Sequence, residues 1–291
     1  MKEKTKAAGD APPSSSHGTL FLVGTPIGNL EDITLRALRT LREADLIACE
    51  DTRQTQKLLN HFEIGTGTTS YHEHNESAKA PELVERLEKG MRIALASDAG
   101  IPGISDPGYR LVQLAIRRGI PVVPVPGPSA AVAALAVSGL PTHSFQFVGF
   151  LPPKPNARRS FLEELARSPV TTVAFESPQR VLAALRDVRA VLGDRTVAVA
   201  RELTKVHEEF LRGSVTQVIA ALQTRPRILG EITLILGPAC EPPPSATQVL
   251  SVKDRVRELM EEQVLSRMEA LKAVARERRI SKSEAYRQFE S

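Results

Sequence analysis

Two carboxylates, Asp98 and Asp106, stand in the stretch Ser97-Asp-Ala-Gly-Ile-Pro-Gly-Ile-Ser-Asp-Pro-Gly108, which has three glycines and two prolines in twelve positions. Carboxylates so placed can take a ribose hydroxyl or an ammonium group. The glycines leave bare backbone that a ligand can approach closely, and the prolines stiffen it. An apolar run at residues 92–97 precedes the stretch and reads as a buried strand. Residues 109–116 follow with apolar positions at helical spacing. A stiff ligand loop and a tight strand-to-helix connection both fit this pattern.

Three further clusters leave strands in the same way. Thr25-Pro-Ile-Gly-Asn-Leu30 follows the strand at 19–24, Glu50-Asp-Thr-Arg53 the strand at 46–49, and Pro126-Gly-Pro-Ser-Ala130 the strand at 120–125. Helices are expected over 32–41, up to Leu59, over 82–89 (with Pro81 limiting its backward extension), over 109–116 and over 131–137, the last capped by Ser129. A strand-like piece at 68–71 leads into His72-Glu-His-Asn-Glu76. His72 and His74 alternate on what reads as an extended segment. With no third ligand beside them, a polar loop near a substrate fits better than a metal site. Strand and helix alternate throughout, which predicts an α/β fold with a mainly parallel sheet and helices on both faces. All four loops then fall on one sheet edge, where open α/β sheets bind ligands.

The second half reads as a mixed α/β domain. Its strands are expected at 144–149, 170–175, 196–200, 209–213 and 231–236, and its helices end at Ala166, Leu192 and Leu222. A basic linker with Arg158 and Arg159 lies at 154–159. Domains are expected at 19–139 and 140–240, a Pro-rich linker at 241–250, and an all-helical tail at 251–291. Within the tail, residues 268–276 and 281–289 resemble a helix-turn-helix capped by Ser281. Lys272, Arg276 and Lys282 there could meet phosphates, or the pair could simply be solvated.

The chain has 291 residues, a net charge of +4 and two cysteines, Cys49 and Cys240. The charge permits a nucleic-acid partner without requiring one. Two distant cysteines fit a reducing compartment. Residues 1–18 lack the apolar centre of a secretory signal and read as a disordered tail, and no run reaches membrane-span length. The P-loop, Gly-x-Gly-x-x-Gly and Gly-x-Ser-x-Gly patterns are absent, which argues against P-loop nucleotidases, ordinary dinucleotide binding and α/β-hydrolase chemistry.

Taken together, Leu22-Val-Gly-Thr-Pro-Ile-Gly-Asn-Leu30, Glu50-Asp-Thr-Arg53, Tyr71-His-Glu-His-Asn-Glu76, the stretch from Ser97 to Gly108, Pro124-Val-Pro-Gly-Pro-Ser129, Phe175-Glu-Ser-Pro178, Arg201-Glu-Leu-Thr-Lys205 and Gly230-Glu-Ile-Thr233 resemble the tetrapyrrole methylase superfamily, and within it the ribosomal RNA methyltransferases. The tail departs at Arg279, where a glycine is usual. The resemblance implies two α/β domains with the cofactor cleft between them, plus a small C-terminal helical piece. It implies S-adenosylmethionine held by Pro26, Asp98, Ala99, Gly100, Ile101, Ile104, Ser129, Ala130, Leu203 and Thr233. It implies methylation of a cytidine 2′-hydroxyl in the decoding region of 16S ribosomal RNA, within the 30S subunit, by a cytoplasmic homodimer without membrane or metal. A base, or the network orienting it, is expected from Glu50, Asp51, Glu202 or Lys205, with Lys205 eligible only if its pKa is lowered. RNA contacts are expected from Arg53, His72, His74, Arg158, Arg159, Lys272, Arg276 and Lys282. Two competing readings are a methyltransferase of a porphyrinoid or other small molecule, and a non-catalytic RNA-binding factor with a relic cleft.

Overall fold

A computed structural model of the chain describes residues 17–239, 251–262, 265–278 and 280–290. The expected tail up to residue 16, Cys240, the linker at 241–250 and the turn residue Arg279 lie outside the described residues. Gly18, assigned to the tail, belongs instead to the fold: it is buried, and its N–H donates to Leu87 O at 2.7 Å.

The first lobe holds β1 (Thr19–Val23), β2 (Leu46–Cys49), β3 (Thr68–Ser70), β4 (Arg92–Ala96) and β5 (Val122–Val125) in the order β3-β2-β4-β1-β5, all parallel. Runs such as Ile-Ala-Leu-Ala in β4 suit a strand covered on both faces. Helices α1 (Leu35–Glu43), α2 (Thr52–His61), α3 (Glu76–Glu88), α4 (Tyr109–Arg117) and α5 (Ala130–Ala136) supply the connections. One core gathers Leu20, Leu83, Leu87, Ile93 and Leu111, and another gathers Leu41, Ile47, Leu59 and Val125.

Three local expectations are corrected. Residues 30–32 form a 3-10 turn, and α1 starts only after Thr34, whose side chain accepts from Ala37 N at 3.1 Å. Pro81 lies inside α3 rather than at its start. A mid-helix proline costs about 3 kcal/mol. Burial of Ala80, Leu83, Val84 and Leu87 along the same helix offsets this, since each large aliphatic side chain contributes about 1.5–3 kcal/mol. Ser129 occupies the N-cap position of α5, but its side chain makes no capping hydrogen bond.

The second lobe contains β6 (Phe145–Phe150), β7 (Thr171–Glu176), β8 (Thr196–Arg201), β9 (Glu209–Ser214) and β10 (Ile232–Leu236), ordered β6-β7-β10-β8-β9. Only β6 and β7 run parallel. Helices α6 (Pro155–Leu165), α7 (Val181–Leu192) and α8 (Val215–Gln223) accompany this sheet, and its main core includes Leu162, Leu185, Val188, Val199, Leu222 and Leu234. A separate cluster joins Ala131, Ala134 and Leu135 of α5 to Val173, Ala198, Ala200 and Ile235 of the second sheet. The small alanines allow that close packing.

The stretch read as a basic linker is the opening of α6. Arg158 is 2% exposed. Its guanidinium donates to Asp187 of α7 at 2.8 and 2.5 Å and to Pro152 O and Pro153 O at 3.3 Å. It is therefore a structural ion-pair partner, unavailable to RNA. Arg159 reaches the other Asp187 oxygen at 2.8 Å and stays half-exposed.

The C-terminal unit is described by itself. Helices α9 (Val252–Glu262), α10 (Arg267–Glu277) and α11 (Lys282–Glu290) share a core of Val256, Leu259, Leu271, Val274 and Ala285. Ser281 Oγ accepts from Glu284 N at 3.1 Å, the cap the sequence predicts. Lys272, Arg276 and Lys282 are exposed.

Burial alone would lift the Asp187 carboxyl, but hydrogen bonds from Arg159 and Arg158 hold it below the ordinary range. Its contribution is therefore full above the unfolded aspartate value of ~3.9 and lost as pH falls through the lower folded value. Asp187→Ala strands a buried guanidinium and is expected to destabilise the chain by about 3–5 kcal/mol in urea unfolding at neutral pH. The loss should shrink in acid, where the wild type has lost the same contribution.

Candidate active site

The exits of β1, β2, β4 and β5 share the C-terminal edge of the parallel sheet. Two of them are bonded together. Thr25 N donates to Gly100 O at 2.9 Å and Gly100 N to Thr25 O at 3.1 Å. Thr25 Oγ1 donates to Ser97 O at 3.1 Å, and Ser97 Oγ to Gly100 O at 3.2 Å. The loop after β1 also meets the second lobe: a Cβ on Gly28 would lie 2.8 Å from Leu203 O. Ser105, Glu202 and Thr204 hold φ of 62°, 53° and 64°. Left-handed backbone at non-glycine residues costs of order 1–3 kcal/mol each, and such strain concentrates at functional sites.

Between the lobes lies a cleft of about 350 Å³, within the range of small-molecule sites. Of the expected cofactor residues, Ala99, Gly100, Ile101, Ile104, Ser129, Ala130, Leu203 and Thr233 line it. Pro26 and Asp98 do not, although their neighbours Ile27 and Ala99 do. Asp98 Oδ1 instead accepts from Asp51 N at 3.1 Å, tying the β4 loop to the β2 loop. The wall also includes Phe150, Phe175, Glu176, Ser177 and Pro178, which the sequence reading left without a role. The signal was there: Phe-Glu-Ser-Pro closes a strand as the other site loops do. Within that wall Glu176 is buried, and its Oε1 accepts from Ser177 N at 2.6 Å and from Arg180 at 2.7 Å.

A second cavity, of about 380 Å³, adjoins the cleft. It is lined by Glu50, Glu73, Glu76, Ser105, Asp106, Pro107, Gly108 and Tyr109, and the two cavities share Ser105 and Asp106. Burial pushes the Asp106 carboxyl up to about 6, the negative charge of Glu50 adds to the rise, and a hydrogen bond with Ser97 opposes it. Burial, then Asp98, also raises Glu50.

The four expected catalytic residues separate. Glu50 lines the second cavity. Asp51 is held at about 2 by hydrogen bonds from Arg53, whose Nη2 lies 2.9 Å away. Lys205 pairs with Glu202 at 2.9 Å and Glu231 at 3.1 Å. Burial would depress its ammonium, but those two hydrogen bonds outweigh burial and raise it above the ordinary lysine value. The sequence makes a base role for Lys205 conditional on a lowered pKa, and the shift is upward. Glu202 is lowered, chiefly by the Lys205 hydrogen bond. The pair braces the strained segment around Leu203.

His72 and His74 lie in a turn, not on an extended strand: His72 N donates to Asn75 Oδ1 at 2.9 Å, and the ring centroids are 6.0 Å apart. Among the described residues no three His, Cys, Asp or Glu side chains are grouped to hold a metal. Arg53 is exposed and borders a shallow pocket with Gln56 and Lys57 on α2.

The sequence profile of the family described as Tetrapyrrole (Corrin/Porphyrin) Methylases matches residues 19–219. The chain is 50% identical over 272 residues to a Halalkalibacterium halodurans protein named ribosomal RNA small subunit methyltransferase I, covering 92% of this chain and 93% of the relative. A Thermotoga maritima protein of the same name is 51% identical over 220 residues, or 76% of this chain and 98% of that one. Solved structures share the fold at lower identity. A cobalt precorrin-4 methyltransferase aligns with TM-score 0.57 and 21% identity over 78% of this chain and 98% of its own. A diphthine synthase aligns with TM-score 0.58 and 17% identity over 76% of this chain and 90% of its own. The motif loops, the two-lobed cleft they frame and these matches lead to one assignment: the chain belongs to the tetrapyrrole methylase family, alongside the proteins named ribosomal RNA small subunit methyltransferase I.

Proposed function

We propose that the chain transfers a methyl group from S-adenosylmethionine to the 2′-hydroxyl of a cytidine in the decoding region of 16S ribosomal RNA, within the 30S subunit. The reading includes a cytoplasmic homodimer. The observation that carries it is the interlobe cleft, built by the same loops that carry the family resemblance. The names of the full-length relatives support the RNA substrate.

The residues present fit such a donor. Ile27, Ile101, Leu203 and the ring of Phe175 offer apolar cover, while Ser129 and Thr233 supply hydroxyls for its polar groups. Gly100, at φ 87°, exposes backbone beside them. When bound, S-adenosylmethionine supplies a methyl on a sulfonium, so the leaving group needs no protonation. The protein's share is then chiefly to align the hydroxyl and to accept its proton. Of the four residues first considered as a base, Glu50 alone combines a raised pKa with a cavity next to the cleft. Arg53, Arg159, Lys272, Arg276 and Lys282, with His72 and His74, are proposed to meet the RNA.

Labelled methyl transfer to 30S subunits, free 16S RNA and a porphyrinoid, followed by mass spectrometry of digested RNA, tests the reading. A single 2′-O-methylcytidine in a decoding-region fragment is the expected product. Transfer to the porphyrinoid alone overturns the substrate, and no transfer at all, if donor still binds, favours a binding factor.

Two substitutions probe the site. Ala99 is exposed on the cleft wall, so Ala99→Leu is expected to spare the fold and weaken donor binding at least about tenfold by calorimetry, or ~1.4 kcal/mol. Arg53→Glu is expected to weaken binding to the 30S subunit and flatten its salt dependence, with donor affinity unchanged.

A further inference from the structure

Arginines of the second lobe commonly serve the fold. Arg158 and Arg159 pair with Asp187, Arg180 with Glu176, and Arg201 and Arg225 with Glu209. Arg186 and Arg189 of α7 do not. Both are exposed, and neither makes a hydrogen bond or ion pair among the described residues. They stand three positions apart, so they project from one side of the helix. Together with Ala190, and with Ile219 and Gln223 of α8, they line a surface concavity of about 430 Å³.

The wall of that concavity indicates what it would hold. It contains no carboxylate. Asp194 lies within electrostatic reach of Arg189, but its Oδ1 is occupied by Thr216 N, which donates at 2.7 Å. Ala183, Gln217 and Ala220, exposed on the same two helices, are uncharged. Unpaired guanidiniums present planar forks of N–H donors that fit phosphate oxygens, and the Gln223 amide can serve a ribose hydroxyl. An acidic protein segment would need apolar cover at the centre of its interface. The one large apolar side chain here, Ile219, is only 7% exposed. A sugar–phosphate backbone needs no such cover.

The face also stands at a useful distance from the donor cleft. Pro178 lines the cleft, and α7 starts three residues later, at Val181. At about 1.5 Å per residue, Arg186 comes about 7.5 Å and Arg189 about 12 Å along the helix. One RNA molecule can therefore reach both the cleft and this face. We propose that the α7–α8 face is a further RNA-binding surface, where Arg186 and Arg189 hold backbone phosphates of the 16S ribosomal RNA outside the cleft. The inference rests on the RNA reading given above. These contacts touch no reacting atom. They position the RNA, fixing where the target nucleotide falls while carrying no sequence information themselves.

The test uses the full chain and 30S subunits. Arg186→Gln combined with Arg189→Gln is expected to weaken subunit binding about tenfold and to reduce the slope of log K against log salt by about 1.4–1.8, since two phosphate contacts are lost. In labelled methyl transfer KM for the subunit should rise about tenfold, with kcat and the calorimetric donor affinity within about twofold of wild type. Arg186→Lys combined with Arg189→Lys keeps both charges and should keep the salt slope. Hydroxyl-radical footprinting of the 16S RNA should show sugars that the wild type protects and the glutamine variant leaves open. Unchanged binding and KM in the glutamine variant overturn the assignment. Weaker binding with every RNA protection retained also overturns it, and points to a ribosomal protein as the occupant. A glutamine variant that fails through lost donor affinity overturns it as well, because the arginines then serve the fold. Failure of the RNA reading looks different, because the wild-type chain itself would then neither bind nor methylate the subunit.

Discussion

The backbone bridge between Thr25 and Gly100 is the constraint on which the site depends. β1 and β4 are neighbouring parallel strands, so loops leaving them start in the same direction. An antiparallel bridge between those loops forms only if one of them turns back. The β4 loop does so at Gly100, whose φ of 87° is open to glycine and strained for other residues. The hydroxyls of Thr25 and Ser97 then satisfy buried carbonyls around the turn. Without that reversal Ala99 and Ile101 would have no reason to flank the cleft, and the junction residues that follow would lose their anchor.

The second lobe solves the same problem with charge. Glu202 and Thr204 both sit at positive φ on either side of Leu203, which pushes a buried apolar side chain to the cleft wall. The ion pairs of Lys205 with Glu202 and Glu231 hold that shape, together with the hydrogen bond from Glu231 N to Glu202 Oε1 at 2.9 Å. Gly230 makes room for it, since a Cβ there would come within 2.4 Å of the Glu202 side chain. Glu202 and Lys205, both expected near the chemistry, make the ion pairs that keep a strained segment in place.

Much of this was legible in the sequence because strand exits in a parallel sheet share an edge by topology. Once the runs at 19–24, 46–49, 92–97 and 120–125 read as strands, their four loops had to converge. Side-chain partners are set by long-range packing and were not legible. Nothing near Arg158 indicates that Asp187 waits on the next helix, so a buried ion pair read as a basic surface. Pro81 was weighed by local propensity, and the buried face of α3 overrode it. Asp106 was visible as a loop acid alongside Asp98. Only the three-dimensional arrangement separates them, with Asp98 tied to a backbone N–H and Asp106 facing two cavities.

That separation bears on how the proposed reaction would avoid stalling on its own product. Carboxylates at Glu50 and Asp106 give the junction a negative potential, which favours a cationic donor over the neutral thioether left after transfer. A carboxylate held at about 2, as Asp51 is by Arg53, would be a poor proton acceptor, and a lysine raised by two glutamates would be protonated already. Asp106 differs from both: it is partly buried with no paired cation among the described residues, and the β4 loop places it there.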